Sequence, residues 1–543
     1  MLSNINVLWA SLAISLLAQP LNAAGHIPVR RQTTDTDTDT DTRITFKSAG
    51  NPILADGSVF SADPAPLVVN DTLYILTGRD EAGPEVNGFV MNEWQIFESK
   101  NPDPAGAEWT LHRNVGQPQA IFSWAREGAA YASQIVQGPD GRFYLYAPVT
   151  QKSTTASDPF AIGVAVSDSP LGPFADAHPS GPIISQTVPA PGNDIQNIDP
   201  TVLVDDGDGR VFIYFGTFGA LKGYELEPDM VTIKGGGAAV DVTTLTGFFE
   251  APWILKRQGT YYMLYAANNA GADSPCTPTS YHACLAYGTA EHPLGPWTFR
   301  GVFLDIVSST TSHPGAYRLA NGDWGLAYHT RDADGGTHFR RSVAVDKLTW
   351  DDSAAPPAIN RVAQTKRPAP PPATGPTRNV APAAVASSAG DTPIQYWIRS
   401  VNDGRVEPAP LPPDYWSSYA AEQSPETSTL TLTWDAPVEL NGVAVAFFAD
   451  QPAGSDIGVA PPASWRVEYL DSGGGGGGGG GAWKAVSAAA ASFPTEATDS
   501  PAEVGFTTVS TTALRAVLTA SGRGGQFAGV AVKEFFAFAP TAR

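Results

Sequence analysis

Five stretches of this chain follow one plan, and that repetition limits the fold more than any other feature. Each runs from a short apolar strand through a turn into an aromatic strand: ADPAPLVVNDTLYIL, YASQIVQGPDGRFYLYA, IDPTVLVDDGDGRVFIYFG, FEAPWILKRQGTYYMLYA and SHPGAYRLANGDWGLAYHT. The aromatic strands begin near Tyr74, Phe143, Phe212, Tyr261 and Trp324, at spacings of 69, 69, 49 and 63 residues. Each spacing has room for a four-stranded sheet and variable loops. A chain that repeats one small sheet covers the sheets' apolar faces by packing them radially, as a β-propeller does. Five units predict five four-stranded blades over residues 44–355. Helix signals are scarce, and the 54 Gly and 47 Pro suit a turn-rich, all-β chain.

The flanks read differently. NVLWASLAISLLA followed by LNAAG has the form of an export signal over residues 1–23, with cleavage near Ala23. Residues 24–43, with Arg30-Arg31 and a Thr-Asp repeat, read as a propeptide and solvated acidic spacer. Residues 356–392 are Pro/Ala-rich and predict an extended linker. Alternating strands return over 393–543 and fit a C-terminal β-sandwich. That module is similar to galactose-binding-like or discoidin-like domains; a role bracing the propeller is expected of it, with polysaccharide binding as the alternative. An exported chain with two cysteines, Cys276 and Cys284, predicts a local disulfide. Asn70-Asp71-Thr72 is an N-glycosylation triplet on a predicted hairpin turn.

A net charge of −21 argues against nucleic acid or an anionic membrane surface as a partner. It leaves neutral substrates open. The 13 Trp suit flat, uncharged ligands such as sugars.

Counting back eleven residues from each aromatic strand lands on Asp63, Ala132, Glu250 and His313, and thirteen back from Phe212, across a longer turn, lands on Asp199. Equivalent inner-strand positions of a propeller converge on its axis, so three carboxylates and an imidazole are expected to share one pocket. Clustered carboxylates cannot all ionise cheaply, so at least one pKa should rise. A raised acid beside an ionised base is the equipment for cleaving glycosidic bonds.

These stretches, with SHPGAY and FRRSVAVDKL, resemble glycoside hydrolase family 43 over about residues 48–350. The resemblance implies a five-bladed propeller and hydrolysis with inversion. It puts the general base on Asp63, the general acid on Glu250, and on Asp199 the carboxylate that orients the acid and adjusts its pKa. It puts a sugar-binding arginine on Arg341, with Arg340 adjacent. His313 takes the place of an axial histidine that in many members contacts a hydrated calcium ion. No cofactor is then required, and a structural calcium in the channel is the one metal to expect. Many members have Trp-Ala where this chain has Tyr131-Ala132. Trp124, Phe248 and Trp253 are candidates to stack on a sugar.

The expected activity is that of a secreted, monomeric, inverting exo-glycosidase removing α-L-arabinofuranosyl side chains from plant cell-wall arabinoxylan or arabinan. β-Xylosidase and endo-arabinanase are the alternatives within the family. A non-catalytic carbohydrate-binding propeller is the alternative from another class, and it has no need of an acid–base pair.

Overall fold

The computed structural model describes residues 43–84, 86–267, 275–276, 283–309, 311–366, 377–388, 397–407, 414–421, 423–471, 481–488 and 492–541. The expected export signal and all but the last residue of the acidic spacer lie outside the described residues. Among the described residues, no helix is long and apolar enough to cross a membrane.

Five antiparallel sheets follow one another along the chain and form the propeller. Their innermost strands are Ala62–Val69, Gln134–Gln137, Thr201–Val204, Phe248–Arg257 and Gly315–Arg318. Blades II, III and IV have the predicted four strands, whereas blade I has five and blade V three. The extra strand of blade I, Arg43–Ala49, pairs with the outermost strand Ala105–Gly116. The missing edge of blade V is covered by the segment that follows. Ile53 and Ser61 donate their backbone N–H groups to the carbonyls of Val343 and Arg341 at 2.9 and 2.8 Å. The Asn51 side chain exchanges hydrogen bonds with the backbone of Val345. The ring is thus shut without a fourth strand.

Blade strands read as apolar runs because both faces are covered. Phe143–Thr150 and Cys284–Ala290 are buried almost throughout. Successive side chains point to opposite faces of a strand. In Val211–Phe215, Val211, Ile213 and Phe215 therefore pack with Tyr144, Tyr146, Ile162 and Val164 of blade II. Phe212 and Tyr214 pack the other way, with Tyr261, Met263 and Tyr265 of blade IV. Inner strands are also laced to one another. Val202 N–H donates to Gln134 Oε1 at 2.6 Å, and Ile254 N–H to Thr201 Oγ1 at 3.2 Å.

The C-terminal sandwich is one eight-stranded hydrogen-bonded sheet. Its long strands, Thr427–Phe448 and Val504–Thr519, shift register between Thr433 and Val438. Its core includes Trp416, Leu432, Trp465, Leu514 and Phe535. Of the linker expected over 356–392, the described residues 356–366 and 377–388 are bound to the propeller or the sandwich sheet. Ala358–Ile359 pairs with Trp350–Asp351, Val362 donates to Phe303, and Thr365 bonds to Asp346, all on the propeller. Thr377–Asn379 and Val385–Ser388 are strands of the sandwich sheet, which therefore begins before residue 393. Pro/Ala content hid these strands, whose partners lie far along the chain.

Candidate active site

The acid positions predicted from the repeats sit where the inner strands start, and one backbone device aims them. Asp63, Asp199, Ala251 and His313 have φ of 55°, 54°, 58° and 38°. L-residues seldom occupy this left-handed region, and non-glycine residues held there gather at functional sites. Strand register slips at the same places, between Ala62 and Ala65 in blade I and between Glu250 and Trp253 in blade IV. Such bulges break strict alternation and re-aim a side chain.

Asp63 is buried and held from several sides. Arg341 Nη1 donates to its Oδ1 at 2.9 Å, while Nδ1 of His329 and of His313 stand 3.4 and 3.6 Å from the same oxygen. Its backbone N–H donates to His329 Nδ1 at 3.1 Å. That bond leaves the His329 proton on Nε2, which donates to the Thr311 carbonyl. Arg341 is anchored in turn by Asp80, whose carboxylate accepts from the Arg341 backbone N–H, Nε and Nη2 at 2.8, 2.9 and 3.0 Å.

The carboxylates have been driven apart in proton affinity. Burial opposes the charge of Asp63, but Arg341, helped by the adjoining imidazoles, outweighs it and holds this carboxyl below its ordinary pKa. Burial pushes Asp199 well above the usual range, and the charges of Glu250 and Asp63 add to that. Glu250 is also raised by burial, with the charge of Asp63 adding and the hydroxyls of Thr217 and Thr311 opposing. Thr217 Oγ1 donates to Glu250 Oε2 at 2.7 Å, and Asp199 Oδ2 accepts from the Ala251 N–H at 3.1 Å. Asp199 therefore grips the backbone next to Glu250, while the charge that discourages Glu250 from ionising is that of Asp63. Burial brings His313 down to about 4 despite Asp63, so it is neutral at ordinary pH.

Other sequence expectations fare variously. Arg341, not Arg340, reaches the carboxylates; Arg340 lies over the Phe60 ring at 5.5 Å. Phe248 packs at 5.6 Å from Tyr265 in the space between blades III and IV. Trp253 is buried in another apolar cluster with Tyr262 and Leu264. This burial leaves neither ring a face for a sugar, which corrects their place among the stacking candidates. Trp124 is half-buried, 5.4 Å from Phe122, and its indole N–H has no protein acceptor. Cys276 and Cys284 form the predicted disulfide. Asn70 is exposed, and its φ of 47° with 59° at Asp71 makes the two-residue hairpin turn.

His313 and His329 lean on a carboxylate oxygen that an arginine already holds. Among the described residues, no group of three or more His, Cys, Asp or Glu stands where it could hold a metal ion. The donors do not fit direct calcium ligation, and the chemistry below is carried by the protein's own groups.

Sequence reasoning missed Asp80 and His329, and noted Tyr131 only as a departure from the family pattern. Tyr131 stacks on Phe160 at 5.5 Å and lies within the field of Arg341, Asp63 and Asp80. A signal for His329 was present, a lone imidazole in the apolar strand WGLAYHT. Asp80 follows the second strand of one blade and has no counterpart in the other repeats.

A propeller whose axis joins an ionised carboxylate to two that resist ionisation is built for acid–base hydrolysis. The sequence profile of glycosyl hydrolases family 43 matches residues 49–356, more than half of the chain. The chain belongs to that family. Among curated relatives, a xylosidase/arabinosidase of Bacteroides ovatus is 30% identical over 334 residues, covering 54% of this chain and 92% of its own. Xylosidase/arabinosidase 43A of Humicola insolens is 29% identical, covering 54% of this chain and 95% of its own. An arabinoxylan arabinofuranohydrolase of Bacillus subtilis is 29% identical, with 47% of this chain and 51% of its own covered.

Proposed function

We propose that the protein is an inverting, exo-acting glycosidase that works outside the cell and removes α-L-arabinofuranosyl side chains from arabinoxylan or a related plant polysaccharide. The observation that carries this reading is the opposed proton affinity of Asp63 and Glu250 in one cluster. Glu250 donates its proton to the glycosidic oxygen as the bond from that oxygen to the anomeric carbon breaks. Asp63 takes a proton from a water whose oxygen attacks the same carbon from the opposite face. The products are the free sugar, inverted, and the shortened polysaccharide. Glu250 is left ionised and Asp63 protonated, and exchange with solvent restores both. Arg341 keeps Asp63 charged, the neutral His329 fixes its backbone by accepting its N–H, and Asp80 keeps Arg341 in place. A purely sugar-binding propeller would have no use for such opposed carboxylates.

The choice of arabinose is supported by the arabinoxylan-active relative. Relatives that carry both names support β-xylosidase as the second reading. The apolar N-terminal run and the disulfide support export. Purified protein incubated with arabinoxylan, debranched arabinan and xylo-oligosaccharides should release arabinose from the first. Release of xylose alone would favour the second reading. NMR before mutarotation should find β-arabinofuranose first; α-product would overturn the role of Asp63.

A further inference from the structure

Beside Glu250 stand two aromatic rings that fold stability does not explain. Phe218 is 72% exposed, the most exposed of the large apolar side chains among the described residues. Its backbone is left-handed, with φ of 51°, a costly conformation for a bulky residue. A ring in water on a strained backbone does nothing for the core, so both the strain and the exposure call for a use.

The loop that carries Phe218 is tied to the acid from both sides. Thr217, just before it, is buried and donates to Glu250 Oε2 at 2.7 Å. Gly219, just after it, donates its N–H to the Phe249 carbonyl at 3.0 Å. Ala220 N–H closes the turn on the Thr217 carbonyl at 3.1 Å. Phe249 directly precedes Glu250, and its ring meets that of Phe218 edge to face, centroids 5.6 Å apart at 79°. The backbone that carries the two rings is therefore tied to the Glu250 carboxyl and to the strand next to it.

Acid catalysis says which half of a substrate lies there. A general acid stands beside the oxygen that departs, so rings fixed to it adjoin the departing half rather than the sugar under attack. Xylan's pyranose units are neutral, with an apolar C–H face, which suits an uncharged aromatic surface on a protein of net charge −21. We propose that Phe218, supported by Phe249, is the platform on which the leaving group stacks: a neutral pyranose ring of the polysaccharide main chain. This rests on Glu250 being the acid.

The test compares Phe218→Ala with the unaltered full-length protein on two substrates that share the attacked sugar. One is an arabinosylated xylo-oligosaccharide, and the other is methyl α-L-arabinofuranoside, whose leaving group has no ring. With the oligosaccharide, kcat/KM should fall about tenfold, chiefly through KM, and with the methyl glycoside by less than about twofold. Phe218→Trp should restore the oligosaccharide rate. Equal losses on both substrates, or none on the oligosaccharide, would overturn the platform. An unchanged thermal unfolding midpoint for Phe218→Ala separates lost stacking from lost structure. If the unaltered protein cleaves only xylosides, the arabinose reading fails, and the platform is tested with xylobiose against methyl β-D-xyloside. If Glu250→Gln costs equally with good and poor leaving groups, the acid assignment fails instead.

Discussion

Two clusters in this molecule gather carboxylates around an arginine, with opposite design. On the propeller axis they are Asp63, Asp80, Asp199 and Glu250 with Arg341. Where the propeller meets the sandwich they are Asp403, Asp414 and Glu534 with Arg331. Arg331 Nη2 donates to Asp414 Oδ2 at 2.6 Å and lies 3.4 Å from Asp403 Oδ2. Arg405 adds bonds across the same junction to the carbonyls of Ala333 and Gly336 at 2.8 and 2.9 Å. Glu534 is 0% exposed and is held well above its ordinary pKa by burial, then by the charges of Asp403 and Asp414. A raised carboxyl is thus no sign of catalysis by itself. Glu250 differs in being half-buried, in sharing its cluster with a deliberately ionised partner, and in standing at a strained strand entry. The junction holds domains together, and the axis keeps its charges in opposition.

That contrast predicts different losses. The largest should come from Asp63→Asn, which removes the proposed general base. Activity should fall by about 10⁴-fold, the top of the acid–base range, on good and poor leaving groups alike. Steady-state kinetics on both, with azide failing to restore turnover, checks this. Glu250→Gln comes next. It should cost about 10²–10⁴-fold on a natural arabinoside and distinctly less on a nitrophenyl one, whose leaving group needs little protonation.

Breaking the junction should do the reverse. Among the described residues, Asp414→Ala leaves the buried Arg331 charge with its longer contact to Asp403, and should lower the unfolding free energy by about 3 kcal/mol. Turnover per folded molecule should not change. Denaturant titration alongside active-site titration measures both, and lost turnover at full folding would break the comparison.

The smallest effect concerns pH. Glu534 has a raised pKa, so the native state holds a proton that the unfolded chain has lost above about pH 4.3. Stability from this group therefore falls as pH rises from that value toward the native pKa. Asp63 is lowered, and its contribution is present above about pH 3.9 and lost as pH falls through its native value. Glu534→Gln should flatten the decline of the thermal midpoint on the alkaline side and leave the acid side as it was. A decline as steep as before would assign it to Asp199 and Glu250.

Much of the axis was readable because propeller repeats convert sequence register into spatial convergence. Asp63, Asp199, Glu250 and His313 could be aligned by counting from the aromatic strands. Asp80 could not, since it belongs to one blade only and matters through Arg341, 261 residues away. Phe248 and Trp253 were misjudged because both faces of an inner strand pack against other blades, so an aromatic ring there fills core. The junction was invisible for a similar reason. Arg331, Asp403, Asp414 and Glu534 carry no shared spacing, and only the docked sandwich makes them neighbours.

The seam between blades I and V also bears on when the enzyme comes into being. Asn51 meets Val345 across 294 residues of chain, and Ser61 meets Arg341 beside it. A closure between such distant partners comes late in folding, because the loop entropy must be met before the contact stabilises anything. Arg341, the group that keeps Asp63 charged, sits in that seam. A growing chain can complete the first four blades while Asp63, the proposed base, still lacks its cation. On the proposed mechanism, catalytic competence arrives in one step, with the shutting of the ring, and turnover can serve as a clock for the final stage of assembly.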